Sequence, residues 1–206
     1  MKILLLGANG KTGREIIARA LSAGDSITAL VRTEDRLADI THSKLNVYVG
    51  DVCNANTLKE IVDGHDVVIS TLGPRTPTQV ACKIYSEGTR AIVDAMRGSE
   101  VARLIVTSTA LLFPRNTLVD KALGTIARNN VRHAAEMEHI VQSSALDWTV
   151  VRLGFLNNKV SEEAKVYENI MPKGGRSISR GAVAQFILDE AKQPAHHQKV
   201  IGLATK

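Results

Sequence analysis

The sequence predicts a doubly wound α/β fold, in which a parallel sheet is covered by helices on both faces. Two observations carry the prediction: short apolar runs alternate with helix-patterned segments along the chain, and a glycine-rich turn joins the first run to the first helical segment. Strands that read as continuous apolar runs are typical of parallel sheets buried on both sides. We expect residues 1–206 to form one domain, with small insertions towards the C-terminus on the side of the sheet that binds ligands.

Each predicted element follows from a local pattern. The apolar runs predict strands at Lys2–Leu6, Ser26–Val31, Leu45–Val49, Asp66–Ser70, Ala102–Thr107 and Trp148–Arg152, with later candidates at Lys165–Asn169 and Val200–Ala204. Helical spacing of apolar residues predicts helices at Lys11–Ala23, Asp35–Ile40, Ala55–Val62, Val80–Met96, Asn130–Ser144 and Arg180–Ala191. Crossovers of the usual hand would then place ligands at the carboxyl ends of the strands.

Composition narrows the classes of function. The net charge of +5 favours anionic partners, but no run of five or six basic residues occurs and aromatic residues are only 3% of the chain, so we expect no nucleic-acid partner. Cys53 and Cys82 match no zinc or redox spacing and are expected to be reduced thiols. No apolar run approaches the roughly 18–20 residues of a membrane span, which predicts a cytoplasmic protein without a membrane partner.

The first turn carries the most specific motif. Residues 7–13 read G-x-x-G-x-x-G between the first strand and the first helix, the position at which such a pattern indicates a dinucleotide site. We expect Gly7 to form the tight turn, Gly10 to let the backbone approach pyrophosphate, and Gly13 to let helix and strand pack closely. The sequence therefore predicts a Rossmann domain whose phosphate-binding residues are Gly7, Asn9, Gly10, Lys11, Thr12 and Gly13.

The end of the second strand predicts which dinucleotide binds. A site for NAD usually places Asp or Glu there to hold the ribose 2′-hydroxyl, whereas this strand ends in Arg32, with Arg36 one helical turn later. A charge-assisted hydrogen bond to a 2′-phosphate is worth about 1.5–3 kcal/mol, or roughly a 10- to 150-fold preference. NADP(H) is therefore the predicted cofactor. Glu34 and Asp35 lie nearby, and a solvated arginine is the alternative.

Several motifs resemble a known family. Atypical short-chain dehydrogenases/reductases of the NmrA-like group, above all the biliverdin-IXβ reductase or flavin reductase type, share in this order Gly7–Gly13, Arg32 with Arg36, Gly50-Asp51-Val52, Leu72-Gly73-Pro74-Arg75, Ser86-Glu87-Gly88 and Thr107-Ser108. The resemblance runs from Met1 to about Leu156 and is looser beyond it.

The resemblance implies roles for residues beyond the glycine turn. By it, Asp51 and Val52 would flank the adenine, and Leu72, Gly73 and Arg75 would line the cofactor after the fourth strand. Ser108 would lie beside the nicotinamide as the catalytic candidate, orienting the acceptor or relaying a proton through hydrogen bonds. A surface charge at Arg75 and a satisfied strand end around Ser108 are the alternatives.

The usual proton donor of short-chain dehydrogenases is missing. Their Tyr-x-x-x-Lys dyad does not occur, because the residues four after the tyrosines Tyr48, Tyr85 and Tyr167 are Val52, Thr89 and Met171. Ala134 stands where relatives often keep the lysine. An unactivated ketone needs a positioned acid, whereas flavins, quinones and linear tetrapyrroles accept hydride readily and take protons from water.

Two functions fit this pattern. The first is an NADPH-dependent reductase with a small-molecule hydride acceptor, and the second is a non-catalytic NADP(H)-binding redox sensor of the NmrA type. Phe155 stands where the tetrapyrrole reductase has a pocket histidine, which favours a flavin or quinone acceptor over biliverdin. The state of oligomerisation stays open between monomer and dimer.

The remaining candidates are weaker. Segments Leu111–Asn129 and Leu153–Ser179 break the alternation and are either substrate loops or surface connections. His133 and His139 are six residues apart and are expected to be solvated, so no metal is predicted. Trp148 is expected in the core, and Ser179 is expected to cap the last helix.

Overall fold

The computed structural model describes residues 1–74, 76, 78–114, 124–160, 163–172 and 177–205. Its strands are β1 (Lys2–Leu6), β2 (Ser26–Val31), β3 (Leu45–Val49), β4 (Val67–Ser70), β5 (Arg103–Thr109), β6 (Asp147–Leu153), β7 (Phe155–Asn157), β8 (Ala164–Glu168), β9 (Ser177–Ser179) and β10 (Lys199–Thr205). Its main helices are α1 (Lys11–Ser22), α2 (Ala55–Ile61), α3 (Gln79–Met96), α4 (Arg128–Gln142) and α5 (Arg180–Lys192).

The strands confirm the predicted doubly wound sheet. Eight of them pair in the order β3-β2-β1-β4-β5-β6-β10-β8, and every pair is parallel except the last, in which β8 runs antiparallel to β10. The chain starts in the middle of this sheet, winds out to β3, and returns through β4 to the other half. The order therefore reverses between β1 and β4, where open α/β sheets bind their ligands.

Burial on both faces explains the continuous apolar strands. In β1, Leu4 and Leu6 pack in the core formed with α2, α3 and α4, whereas Ile3 and Leu5 pack in the core formed with α1 and α5. Each fully buried side chain of this size contributes about 1.5–3 kcal/mol relative to an exposed one. Trp148 is 7% exposed and belongs to the first of these cores, as expected.

Two predicted regions differ from the structure. The helix expected at Asp35–Ile40 is a single 3-10 turn over Glu34–Leu37, because only Leu37 in it is buried and no apolar stripe extends the turn. The break at 153–179 is not a simple loop, since it holds β8 and a small parallel sheet of β7 and β9. Ser179 caps α5 as predicted, with its hydroxyl accepting the Ala182 N–H at 3.0 Å.

Within the part of the chain that the structure describes, no helix is both long and apolar enough to cross a bilayer.

Candidate functional site

Backbone geometry requires glycine in the turn after β1. Gly7 has a φ of +83°, and a Cβ at that position would lie 2.8 Å from the carbonyl carbon and oxygen of Thr71. A Cβ at Gly13 would overlap the carbonyl oxygen of Gly7. The Gly10 N–H donates to the Gly7 carbonyl at 3.0 Å and closes the turn. The turn therefore lies directly against the start of α1.

The start of α1 is suited to an anion. Its N-cap is Gly10, which has no side chain to cap the helix, and its first turn contains no acidic residue. The first N–H groups of a helix have no partner within the helix, and the helix dipole adds partial positive charge at the same end. Phosphate oxygens can satisfy both.

A cleft of about 430 Å³ opens between this turn and the carboxyl ends of β2, β3 and β4. Most of the predicted binding residues line it, namely Gly7, Asn9, Gly10, Arg32, Arg36, Asp51, Val52, Leu72 and Gly73. Lys11, Thr12 and Gly13 lie in the first turn of α1 and are not among its lining residues. Ser108, near the carboxyl end of β5, does not line the cleft either. Arg75 falls outside the described residues.

Sequence reasoning missed some of the apolar residues that line the cleft. Leu30 at the end of β2 and Ala81 and Ile84 on α3 line it together with the predicted residues. Their signal in the sequence is indistinguishable from that of core positions, because β2 and α3 also bury apolar residues against the sheet. Such a wall suits the flat face of a base.

Positive charge dominates the end of β2. Arg32 and Arg36 line the cleft, whereas Glu34 and Asp35 are exposed and do not. A third acidic residue, Asp39, is paired with Arg14, whose Nη1 and Nη2 donate to its carboxylate at 2.6 and 3.1 Å.

The Arg14–Asp39 pair also fixes the shape of the cleft. Its hydrogen bond raises the pKa of Arg14 and lowers the pKa of Asp39, so both stay ionised and their charges cancel. Arg14 Nη2 further donates to Asn9 Oδ1 at 3.2 Å and to the Arg36 carbonyl at 2.6 Å. Arg14 thus ties the glycine turn to the segment after β2. No local pattern signals this role, because its partners are 5 to 25 residues away.

Two further titratable groups near the cleft are inactive at neutral pH. Burial, with the charge of Asp51 as a second cause, raises the pKa of the Cys53 thiol. Burial raises the pKa of Tyr85 to about 12. The thiol and the phenol therefore stay protonated, and neither serves as a nucleophile or a ready acid.

Ser108 belongs to a buried cluster at the ends of β5 and β6. Its hydroxyl donates to Glu138 Oε1 on α4 at 2.6 Å. Arg152 on β6 binds the same carboxylate through Nε to Oε1 at 2.9 Å and through Nη2 to Oε2 at 2.7 Å. Ser108 is 4% exposed and Glu138 is 3% exposed. We call Ser108, Glu138 and Arg152 the carboxyl-end cluster.

The surroundings of Arg152 hold this cluster in place. Its Nη1 donates to the Leu112 carbonyl at 3.3 Å, and its guanidinium carbon lies 4.7 Å from the centre of the Phe113 ring. Neither Glu138 nor Arg152 was among the predicted site residues. The available signal is a carboxylate on the apolar stripe of α4, between the buried Ala134 and Val141.

One histidine prediction was wrong. His133 is 4% exposed rather than solvated, because its face of α4 packs against α3. Its Nδ1 lies 3.0 Å from Ser86 Oγ, and its Nε2 has no partner among the described residues. His139 is exposed as expected. In the described ranges, no group of three His, Cys, Asp or Glu side chains is arranged to hold a metal ion.

Comparisons with known proteins place this geometry in a family. The protein-family model described as NAD(P)H-binding matches residues 7–194 of the chain. The chain is 24% identical to YwnB of Bacillus subtilis over 95% of its own length and 94% of that protein. It is 33% identical to the protein C2A9.02 of Schizosaccharomyces pombe, but over only 54% of this chain and 39% of that longer protein.

Solved structures of similar fold include two reductases by name. ChuY, an anaerobillin reductase of Escherichia coli O157:H7, is 24% identical with a TM-score of 0.82 over 99% of this chain and 97% of its own. SP1627 of Streptococcus pneumoniae TIGR4, assigned as an NADH-flavin reductase, is 21% identical with a TM-score of 0.78 over 100% of both chains. A short-chain dehydrogenase/reductase of Veillonella parvula DSM 2008, in complex with NADP, is 22% identical with a TM-score of 0.74 over 98% and 94%. At these identities the likeness establishes the fold.

Proposed function

Because the chain belongs to the NAD(P)H-binding family, we propose that it is an NADPH-dependent reductase that transfers hydride to a flavin-, quinone- or tetrapyrrole-like acceptor. The observation that carries the proposal is the cleft itself, which is lined by a glycine turn at a helix start and by Arg32 and Arg36. The glycine turn suits a pyrophosphate, and the two arginines suit a 2′-phosphate.

The residues that line the cleft fit the parts of NADPH. The first turn of α1 and the glycine turn, with Gly7, Asn9 and Gly10, would hold the pyrophosphate through backbone N–H groups. The guanidinium groups of Arg32 and Arg36 would hold the 2′-phosphate. Asp51 and Val52 would flank the adenine, and Leu72 and Gly73 would line the cofactor beyond the end of β4.

Electrostatics favour NADPH over NADH in this cleft. The end of β2 places two arginines where an NAD site would place a carboxylate. The negative charge of Asp39 is balanced by its ion pair with Arg14. The structure of the Veillonella parvula protein contains NADP, which supports the same choice, whereas the name of SP1627 refers to NADH. Any assay must therefore compare both dinucleotides.

Hydride transfer to such an acceptor requires only that the protein bind and orient the two reactants. NADPH would supply a hydride, which is two electrons and one proton, and the acceptor takes its second proton from water. The chain would hold the acceptor against the cleft wall, and Ser108 would orient it through a hydrogen bond. The names of ChuY and SP1627 as tetrapyrrole and flavin reductases support this class of acceptor.

One observation favours a second candidate, a redox sensor that binds NADP(H) without turnover. The Ser108 hydroxyl donates a hydrogen bond to Glu138, and burial raises the pKa of Tyr85 to about 12, so neither offers a ready acid. A protein that only binds the dinucleotide needs none.

Steady-state oxidation of NADPH with FMN as acceptor, and NADH alongside, separates the two. We expect multiple turnovers and a preference for NADPH. Tight binding of NADPH without turnover, with FMN and with a small quinone such as menadione, would instead establish the sensor.

A further inference from the structure

Asn9 contributes a side-chain amide to the wall of the cleft. It lies within the glycine turn, lines the cleft and is half-buried. Its Oδ1 accepts a hydrogen bond from Nη2 of Arg14 at 3.2 Å. Its Nδ2 has no hydrogen-bond partner among the described residues and is not sealed from solvent. One end of the amide is therefore engaged, and the other end is available to a ligand.

The chemistry of Arg14 dictates which end is available. A guanidinium has five N–H donors and no acceptor, and it does not lose its proton in proteins. The end of the Asn9 amide that faces Arg14 must therefore be the oxygen, because the opposite orientation would set two N–H donors against each other. The amide consequently presents its NH₂ group, and not its oxygen, to the cleft.

Arg14 is itself held in place. Its Nη1 and Nη2 donate to the Asp39 carboxylate at 2.6 and 3.1 Å, and Nη2 also donates to the Arg36 carbonyl at 2.6 Å. The hydrogen bond to Asp39 raises the pKa of Arg14. Release of the Asn9 amide would thus require Arg14 to give up charge-assisted bonds, which are the stronger class of hydrogen bond.

The glycine turn has a use for a further donor. The Gly10 N–H donates to the Gly7 carbonyl at 3.0 Å, so it is already engaged within the turn. The free backbone N–H groups are those of the first turn of α1, and no acidic residue competes for them there. A pyrophosphate has more acceptor oxygens than these N–H groups can serve, and the NH₂ of Asn9 can bind one of the others.

We propose, on the basis of the proposed function, that Asn9 donates a hydrogen bond from Nδ2 to the pyrophosphate of the dinucleotide. Arg14 is the positioning residue that holds the amide in this orientation. It acts through Asn9, because both of its terminal nitrogens are engaged by groups of the protein.

The test replaces Asn9 by aspartate and by alanine and measures the Kd for NADPH by isothermal titration. Aspartate has the size of asparagine and still accepts from Arg14, but it has no N–H and sets a negative charge against the pyrophosphate. We expect the Kd to rise about tenfold in Asn9→Ala and about 100-fold in Asn9→Asp. If Asn9 acted through its oxygen or through the shape of the turn, Asn9→Asp would bind as tightly as the unmodified protein.

A double-mutant cycle distinguishes positioning from general support of the cleft. Its ligand is NADH, which has no 2′-phosphate and therefore does not depend on Arg36. Asn9→Ala and Arg14→Ala should each raise the Kd for NADH about tenfold. Because Arg14 acts through the amide, the double variant should also lose about tenfold, whereas independent effects would multiply to about 100-fold.

Asn54→Asp is the matched control. Asn54 is also an asparagine whose Oδ1 accepts a backbone N–H, that of Asn56 at 3.0 Å, and it lies three residues after Asp51 without lining the cleft. The same charge is added there and the cap of α2 is kept, since aspartate caps helices as well as asparagine does. The Kd for NADPH should stay within about twofold, because an exposed charge outside the cleft is screened by salt.

Adenosine 2′-monophosphate serves as the control ligand. It carries the 2′-phosphate but no pyrophosphate, so its Kd should stay within about twofold in both Asn9 variants. If Asn9→Ala fails to give a cooperative thermal transition, Asn9→Asp, which keeps the bond to Arg14, decides.

Three results would overturn the inference while the proposed function survives. They are an unchanged Kd for NADPH in Asn9→Asp, losses that multiply in the double variant, and an equal loss of NADPH and adenosine 2′-monophosphate in Asn9→Asp. Failure of the unmodified protein to bind either dinucleotide would overturn the proposed function, and this inference with it.

Discussion

Two buried ionic clusters lie at opposite ends of strands β5 and β6, and they differ in the helix that each one fastens to the sheet. At the amino ends, Arg103 Nη2 donates to Thr149 Oγ1 at 2.7 Å and to Glu190 Oε1 at 2.8 Å. Glu190 also accepts the N–H groups of Ala195 and His196 at 3.2 and 2.9 Å, and its Oε2 lies 2.7 Å from His196 Nδ1. We call Arg103, Thr149, Glu190 and His196 the amino-end cluster.

The two clusters connect different helices to the sheet. In the amino-end cluster, every contact of Glu190 fastens α5 and the segment before β10 to the sheet. Burial lowers the pKa of Arg103, although the charges of Asp147 and Glu190 oppose the shift. In the carboxyl-end cluster, Ser108 on β5 and Arg152 on β6 both bind Glu138, which fastens α4 to the sheet. That end of the sheet is also where the cleft opens.

The largest predicted effect breaks the amino-end cluster. Glu190→Ala leaves the guanidinium of Arg103 buried without its main partner, which costs about 3–5 kcal/mol in free energy of unfolding. Urea denaturation followed by circular dichroism measures it. The folded fraction should keep the preference of the unmodified protein for NADPH over NADH. A cost below about 1 kcal/mol would mean that water replaces Glu190 at no penalty.

The next effect tests the charge in the cleft without touching either cluster. Arg32→Asp removes a guanidinium and adds a charge that repels a 2′-phosphate, so the Kd for NADPH should rise about 10- to 150-fold while that for NADH is spared. Isothermal titration with both dinucleotides measures it. Arg97→Asp, an equal change of charge at an exposed site at the end of α3, is the control. If NADPH and NADH weaken together, Arg32 has a structural role and the choice of NADP is wrong.

A smaller effect tests the hydrogen bonds by which Arg14 ties the glycine turn to the segment after β2. Arg14→Ala frees Asn9 from the segment after β2 and leaves Asp39 unpaired near the cleft. We expect the Kd values for NADPH and NADH both to rise by about tenfold, because the pyrophosphate end is affected in either case. An effect on NADPH alone would show that Arg14 acts through charge rather than through shape.

The smallest effect concerns the start of α5. Ser179→Ala removes the N-cap hydroxyl and should lower the free energy of unfolding by about 1 kcal/mol. Kinetic constants should not change. A change in kcat/KM would link the region between β9 and α5 to the acceptor site.

Features that depend on local sequence could be predicted, whereas contacts between distant segments could not. The strands were predictable because burial on both faces makes runs such as β1 wholly apolar, and the glycine turn was predictable because its backbone admits no Cβ at Gly7. Both signals are local. The bonds of Glu138 to Ser108 and Arg152 span 30 and 14 residues, so they depend on the packing of α4 on the sheet.

The burial of the His133 side chain could not be predicted for the same reason. Its place on the helix gives no indication that α3 packs on that side, and the pairing of α3 with α4 joins segments about 47 residues apart. Arg14 is a further case, since its four hydrogen bonds reach the glycine turn at Asn9 and the segment after β2 at Arg36 and Asp39. Side chains that bridge elements are set by the tertiary fold.

Steady-state turnover of the unmodified protein with FMN, measured with NADPH and with NADH, tests whether the chain is an NADPH-dependent reductase. We expect sustained turnover with kcat/KM about 10- to 150-fold higher for NADPH, the value of one charge-assisted contact to the 2′-phosphate. NADPH that binds tightly but is not oxidised, with FMN or with menadione, would contradict it.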